Sequence, residues 1–333
     1  MANLGNTCFL NSCIQLLNNV REIQNEWLNS CDKTEKTKYD YCVFASWLEL
    51  RAAMNGARGQ IVSPGKFVNV IQTVAKIKDR ELFTGWEQND LPEFLLFMMD
   101  CIHNAKRRSV RMSISGKSEN ATDNLALKCY TMLKDNYARG DYSECSDLFY
   151  GIYVSRLMTP DGKTAHSFKP ETYATLDLPL PSRSNKNLSV HDCFDEFVRA
   201  EVLSEWFNEK TGSYESVRKD IVFWNFPRIL IITLKRFSAD GRFKNGILVD
   251  FPVESTLDLS KYAVGYKSQQ NKYKLFGVAN HMGGVGGGHY TSYGLTNDGT
   301  WYLYDDEKVS KVDDLQSIVS QSAYCLWYRK IKA

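Results

Sequence analysis

The chain has 333 residues, 43% hydrophobic and 24% charged, enough to bury the core of one large domain or two ordinary ones. Lys and Arg total 41 against 39 Asp and Glu, so the net charge of +2 implies no general nucleic-acid or polyanion partner. The nine cysteines, at positions 8, 13, 31, 42, 101, 129, 145, 193 and 325, contain no Cys-x-x-Cys pair, which argues against a disulfide scaffold and a standard zinc site and predicts a reducing, intracellular compartment, cytoplasmic or nuclear.

The first segment, MANLGNTCFLNSCIQLL, reads as a capped helix. Phe9, Cys13, Leu16, Leu17 and Val20 recur at three- and four-residue steps, the spacing of one apolar helix face. Gly5-Asn6-Thr7 supplies the start signal, with Asn6 or Thr7 as cap. Cys8 then falls in the first turn, where the positive end of the helix favours a thiolate, a place suited to a nucleophile and equally common for an inert buried cysteine. Two further helices follow in YDYCVFASWLELRAAMNG and SPGKFVNVIQTVAKI, the second with Ser63 as cap and Pro64 at its first position. In WEQNDLPEFLLFMMDCIHNA, Asp90 and Glu93 have capping-box spacing and Pro92 is tolerable in the first turn. KRRSVRMSISGKSENATDN reads as a basic surface loop, with Lys106, Arg107, Arg108 and Arg111 solvated; its Asn120-Ala121-Thr122 sequon is chance in a cytosolic chain.

From about residue 147 the texture becomes β. LFYGIYVSRLMT, SFKPETYATLDLPL, KDIVFWNFPRILIITLKRF, YKLFGVANHMGG, HYTSYGLT, TWYLYDDEKV and SAYCLWYRKI are aromatic and β-branched, bounded by Gly, Pro or Asn. Ile229 to Thr233 reads as a strand buried on both faces, and the apolar run from Ile229 to Leu234 is too short to span a bilayer. The N-terminus has no signal-peptide pattern. LSVHDCFDEFVRAEVL interrupts the strands as a helix. A helical part followed by a largely antiparallel sheet predicts an α+β fold with its site in the cleft between them.

A cysteine nucleophile needs a base, and the chain has five histidines. His103, His166 and His191 sit in helical or turn contexts and read as surface or packing residues. His281 and His289 bracket HMGGVGGGHYTSY, whose five glycines free the backbone for positive φ and close approach to a ligand. Downstream, a strand ending in Asp305-Asp306 can present a carboxylate to the His289 imidazole. Spacing alone leaves open a flexible hairpin with incidental histidines and a solvated acidic turn.

Together the segments resemble the ubiquitin-specific protease family of papain-like cysteine proteases. NLGNTCFLNSCIQLL is similar to the family's cysteine box, and GGGHYTSYGLTNDGTWYLYDDEKV to its histidine box. EQNDLPEFL, with Gln88 and Asp90, resembles the family's Gln-Gln-Asp-x-x-Glu-Phe-Leu element, and LFYGIY, LDLPLP and FPRILIITLKRF fall in family order. The resemblance implies one catalytic domain over 1–333: a helical thumb to about residue 146, then fingers and palm over about 147–333.

By residue, it implies Cys8 as nucleophile, His289 as general base and later acid, Asp305 as the group that orients His289, with Asp306 beside it, and Asn3 as an oxyanion donor. It further implies that Gly286, Gly287, Gly288 and Tyr290 form a channel for ubiquitin's diglycine terminus, bordered by His281. Asp90 and Glu93 would meet the arginines and backbone of the ubiquitin tail. Two departures stand out. The family's finger zinc would need cysteines near RLMTPDGKT and VLSEWFNEKTG, and neither stretch has one, so no cofactor is expected. The lead-in of seven residues before Cys8 is shorter than usual. The expected activity is hydrolysis after the C-terminal glycine of ubiquitin on ubiquitinated proteins, with no nucleic-acid or membrane partner. The rivals are a protease for another ubiquitin-like modifier and an inactive ubiquitin-binding pseudoprotease.

Overall fold

The computed structural model describes residues 1–331 apart from 32, 35, 36, 183–187, 239 and 285. Helices come first: α1 (Cys8–Asn18), α2 (Lys38–Gly56), α3 (Gly65–Ile77), α4 (Leu91–Lys106), α5 (Ala121–Ala138) and the short α6 (Glu144–Phe149). Then come β1 (Gly151–Met158), β2 (Ala165–Tyr173), β3 (Leu176–Leu178), β4 (Leu188–Ser189), helix α7 (Val190–Phe197), β5 (Glu201–Asn208), β6 (Ser213–Asn225), β7 (Ile229–Leu234), β8 (Val249–Asp250) and β9 (Leu257–Asp258). β10 (Lys272–Gly284), β11 (Gly287–Leu295), β12 (Trp301–Asp305), β13 (Lys308–Lys311) and β14 (Ala323–Lys330) complete the chain.

The larger sheet runs β13-β12-β11-β10-β14-β7-β3, with β9 also paired to β10, and only its β3–β7 pairing is parallel. It separates two cores. Along β7, Ile229 and Ile231 face the helices while Leu230, Ile232 and Leu234 face α7 and the opposite core, so period-two alternation serves two buried surfaces. That is the continuous apolar run expected from the sequence.

Helix α1 departs from a one-faced helix. It lies between α4 and the sheet and is buried nearly all round, from Cys8 to Leu17 with Gln15 the partial exception. Thr7 occupies the cap position without a side-chain cap, and Asn6 is in the left-handed region at φ 56. A missing cap costs about 1 kcal/mol, whereas full burial of Ile14, Leu16 and Leu17 contributes roughly 1.5–3 kcal/mol each, so packing alone holds this helix.

Three other expectations are corrected. α3 begins one residue late, with Pro64 at the cap and Ser63 Oγ accepting from Gly65 N at 3.4 Å. The stretch 106–124 is only partly a loop. Lys106 is buried and donates to Trp27 O and Ser30 Oγ, and Arg108 pairs with Glu144. Asn120 caps α5 by accepting from Asp123 N, a helix unread from the sequence although Leu125, Ala126, Cys129 and Leu133 carry its apolar stripe. Finally, the helix in LSVHDCFDEFVRAEVL stops at Phe197, because residues 201–203 join β5 against β6. A capping box between Ser189 and Asp192 starts it.

A second sheet, β2-β1-β6-β5, projects as two hairpin ribbons whose base is covered by α5 through Leu125, Ala126 and Cys129 on Ile152, Val154 and Trp224. Among the described residues no helix is long and apolar enough to cross a membrane.

Candidate active site

Cys8 is the first residue of α1, and the loop before it is organised by Asn3. The Asn3 Oδ1 accepts from Gly5 N at 3.0 Å, and from Thr7 N and Thr7 Oγ1, each at 3.2 Å. Gly5 at φ 99 and Asn6 at φ 56 make the reversal that such a knot requires. Since no side chain caps α1, the amides of its first turn remain available to an anion. The thiol is nevertheless held above its ordinary range. Burial is the main cause and Asp306 adds to it, while the amides of Tyr290, Phe9 and Cys8 pull the other way. The pull of the helix end toward the thiolate is thus present but outweighed by desolvation.

His289 lies on β11 and Asp305 ends the neighbouring β12. Their antiparallel pairing brings Asp305 Oδ1 to 2.6 Å from His289 Nε2. That bond leaves Nδ1 as the nitrogen free to take a proton, and among the described residues no hydrogen bond yet joins it to Cys8 Sγ. Asp306 turns away in the left-handed conformation at φ 49. Its Oδ2 accepts from Asn3 Nδ2 and its Oδ1 from Asn11 Nδ2, both at 2.7 Å. The nearest ligating atoms of His289, Asp305 and Asp306 lie within 4.8 Å of one another. The two acids thus divide: Asp305 holds the imidazole and Asp306 holds the asparagines. Asn11 carries no signal in the sequence that separates it from the other polar residues of α1, Ser12, Gln15 and Asn18; only its place three positions after Cys8, on the turn that faces Asp306, marks it.

A cleft of about 300 Å³ runs from Cys8 between Gln88, Asp90, Phe237, His281, Tyr290 and the glycine hairpin. Gly288 N donates to Gln88 Oε1 at 2.8 Å, so the hairpin and the loop before α4 close on one another. Both positions favour glycine, Gly287 by its backbone conformation and Gly288 by its contacts. A Cβ on Gly287, at φ 145, would meet Gln88 Oε1 at 2.6 Å, and one on Gly288 would meet Met282 O at 2.1 Å and His281 Nε2 at 2.6 Å.

Asp90 precedes α4 but makes no side-chain cap, so the expected capping box with Glu93 does not form. Its carboxylate reaches across to the sheet instead, accepting from Tyr290 OH at 2.6 Å and Tyr324 OH at 3.1 Å. Burial raises the Asp90 carboxyl above its ordinary range, and burial with the neighbouring Asp90 charge does the same to Glu93. Glu93 is exposed in the first turn of α4.

Of the other histidines, His103 is buried against Ser143 and Asp141, His191 stacks on Tyr262, and His166 meets Trp206. A wider groove of about 1440 Å³, lined by Arg21, Arg228, Lys267 and Lys330, lies at the far end of α1 and contains none of the candidate residues. At the ribbon tips, Thr159 Oγ1 donates to Asp161 Oδ1, and Thr211 Oγ1 donates to Glu215 Oε1. These hydroxyl and carboxylate groups are satisfied by one another, and a donor set without thiolate does not fit a structural zinc.

The chain matches the family described as "Ubiquitin carboxyl-terminal hydrolase" over residues 1–328. It is 30% identical over 338 residues to "Ubiquitin carboxyl-terminal hydrolase Usp2" of Drosophila melanogaster, covering 99% of this chain and 34% of that protein. It is 31% identical over 346 residues to "Ubiquitin carboxyl-terminal hydrolase 2" of Bos taurus, covering 98% of this chain and 54% of that protein. This chain therefore spans about a third to a half of these relatives. Among solved structures it is similar to the SAGA Ubp8/Sgf11/Sus1/Sgf73 DUB module bound to ubiquitin aldehyde, with a TM-score of 0.73 and 20% identity, covering 100% of this chain and 69% of that one. That likeness establishes the α+β fold.

Proposed function

The chain belongs to the ubiquitin carboxyl-terminal hydrolase family, and on that premise we propose that it is a thiol-dependent deubiquitinase cleaving isopeptide or peptide bonds after the C-terminal glycine of ubiquitin. The observation that carries this is that α1, which begins at Cys8, packs on β11, which carries His289 bonded to Asp305, and that Cys8 opens onto a cleft lined by Gly286, Gly287 and Gly288. A cleft lined by glycines lets a substrate backbone approach closely, which suits a terminus without side chains such as diglycine.

The chemistry follows from the groups present. His289 Nδ1 takes the Cys8 proton as the sulfur attacks the glycine carbonyl, and Asp305 stabilises the imidazolium through Nε2. A thiol held up by burial makes this general-base activation rather than a standing ion pair. The oxyanion is met by the uncapped amides of α1 and by the Asn3 amide, which Asp306 orients. His289 returns the proton to the leaving amine, giving a thioester and a free amine. Water, activated by the same imidazole, then releases the ubiquitin carboxylate and the thiol.

Glu93 is the exposed carboxylate suited to an arginine of the ubiquitin tail, whereas both oxygens of Asp90 already bind tyrosines. The fingers are proposed to stand without zinc, held by α5 packing. All nine cysteines are free, which supports an intracellular location. The test is labelling with ubiquitin carrying a C-terminal electrophile, in parallel with probes built on other ubiquitin-like modifiers. A covalent adduct with the ubiquitin probe that is lost in Cys8→Ala supports the assignment. Labelling by another modifier alone would transfer the activity to that substrate, and binding without an adduct would indicate a pseudoprotease.

A further inference from the structure

Lys244, in the segment between β7 and β8, reaches across to the base of the glycine hairpin. Its ammonium donates to His281 Nδ1 at 2.9 Å, to His281 O at 2.6 Å and to Gly283 O at 3.1 Å. An ammonium has three hydrogens and no lone pair, so all its capacity is used, and Nδ1 must act as the acceptor. The imidazole is therefore neutral, with its proton on Nε2. Nε2 makes no hydrogen bond among the described residues, and it lies beside Gly288, where an added Cβ would come within 2.6 Å of it. His281 lines the cleft that begins at Cys8.

The surroundings hold this ring in place. His281 N donates to Ser322 O at 2.8 Å, and the imidazole centroid lies 5.4, 4.7 and 6.1 Å from those of Phe237, Tyr290 and Tyr324. We propose that Lys244 is a positioning residue that fixes His281 as the Nε2–H tautomer, so that His281 presents a hydrogen-bond donor to a backbone carbonyl of the diglycine tail while Lys244 clasps the entry to the hairpin. This rests on the deubiquitinase reading for its substrate, but not for its tautomer. Burial and the Lys244 charge together lower the His281 pKa to about 4, so the donor stays neutral throughout the working range. Without Lys244, Nδ1 loses the ammonium that requires it to accept and can carry the proton itself, which turns Nε2 from donor to acceptor and sets it against the substrate carbonyl.

The experiment combines nitrogen-15 NMR of the imidazoles with kinetics on ubiquitin bearing a fluorescent leaving group. The wild-type enzyme should show His281 protonated at Nε2, assigned by its disappearance in His281→Phe. In Lys244→Met the Nδ1-protonated form should appear, and kcat/KM should fall about five- to tenfold through KM, with kcat within about twofold, as for loss of one hydrogen bond. Lys244→Arg, which keeps a donor, should restore most of the loss. Wild-type His281 protonated at Nδ1 would overturn the proposal even if no variant folds, and so would a Lys244→Met variant with an unchanged tautomer. An enzyme with no ubiquitin hydrolysis but the expected tautomer would instead overturn the deubiquitinase reading.

Discussion

Asp90 offers the sharpest test of how the helical part is fixed to the sheet. Its two carboxylate oxygens accept from Tyr290 on β11 and Tyr324 on β14, and each tyrosine is only 6% exposed. Asp90→Ala strips both buried hydroxyls of their acceptor. Hydrogen bonds to a charged group contribute about 1.5–3 kcal/mol each, so the pair sets a ceiling near 3–6 kcal/mol. Burial of the carboxylate, evident in its raised pKa, offsets part of that, and the expected loss is about 2–4 kcal/mol. Asp90→Asn keeps one good acceptor and should cost less than about 1.5 kcal/mol. In urea unfolding at constant m, Tyr324→Phe should cost about 1 kcal/mol in the wild type and close to nothing in the Asp90→Ala background, a coupling that marks a direct interaction. Additive effects within about 0.5 kcal/mol would refute the seam. The pH dependence has a definite sign. A carboxyl whose folded pKa is raised contributes stability that is complete below its unfolded value near 4 and is lost as pH rises through the folded value. The stability of Asp90→Asn relative to wild type should therefore improve on going from about pH 4 upward, and a trend in the opposite direction would show that the tyrosines outweigh burial.

Three other outcomes are expected. Asp305→Ala should lower kcat by about a hundredfold or more, because among the described residues only Asp305 bonds to the His289 side chain, while Asp306→Ala should lower it less by freeing Asn3 and Asn11; steady-state kinetics showing the reverse order would reassign the orienting acid. Asn3→Ala should cost about 10²–10³ in kcat with little change in KM, and a loss under about threefold would leave the oxyanion to the backbone amides of α1 alone. The purified protein should carry no stoichiometric zinc by elemental analysis, and a chelator should leave its Tm unchanged, since the ribbon tips offer hydroxyl and carboxylate groups already bonded to each other.

Much of this protein was legible in the linear chain because the signals are local. Ile229 to Leu234 is apolar apart from Thr233, without alternation and rich in β-branched residues, which suits a strand buried on both faces, and β7 divides its side chains between two cores. The glycines at 287 and 288 announce a backbone that must lie against something, and the cysteine and histidine segments point to Cys8 and His289, the proposed nucleophile and base, by their likeness to one family. Helix α5 was missed because its stripe is thin and its cap resembles a loop, and it is stabilised by burying that stripe on the ribbon base.

What tertiary structure alone decided is the division of labour among polar groups. Asp305 and Asp306 are adjacent in sequence and of identical chemistry, yet the left-handed turn at Asp306 sends one to His289 and the other to Asn3 and Asn11. Asp90 and Glu93 have the spacing of a cap, but Tyr290 and Tyr324, two hundred and more positions away, offer Asp90 shorter and better-buried donors than its own helix does. The Cys8 thiol sits where a helix end favours its anion, and burial together with Asp306 reverses the sign. Hydrophobic periodicity is written into the chain itself, whereas the partner of a buried polar group is whichever donor or acceptor the packing brings within about 3 Å.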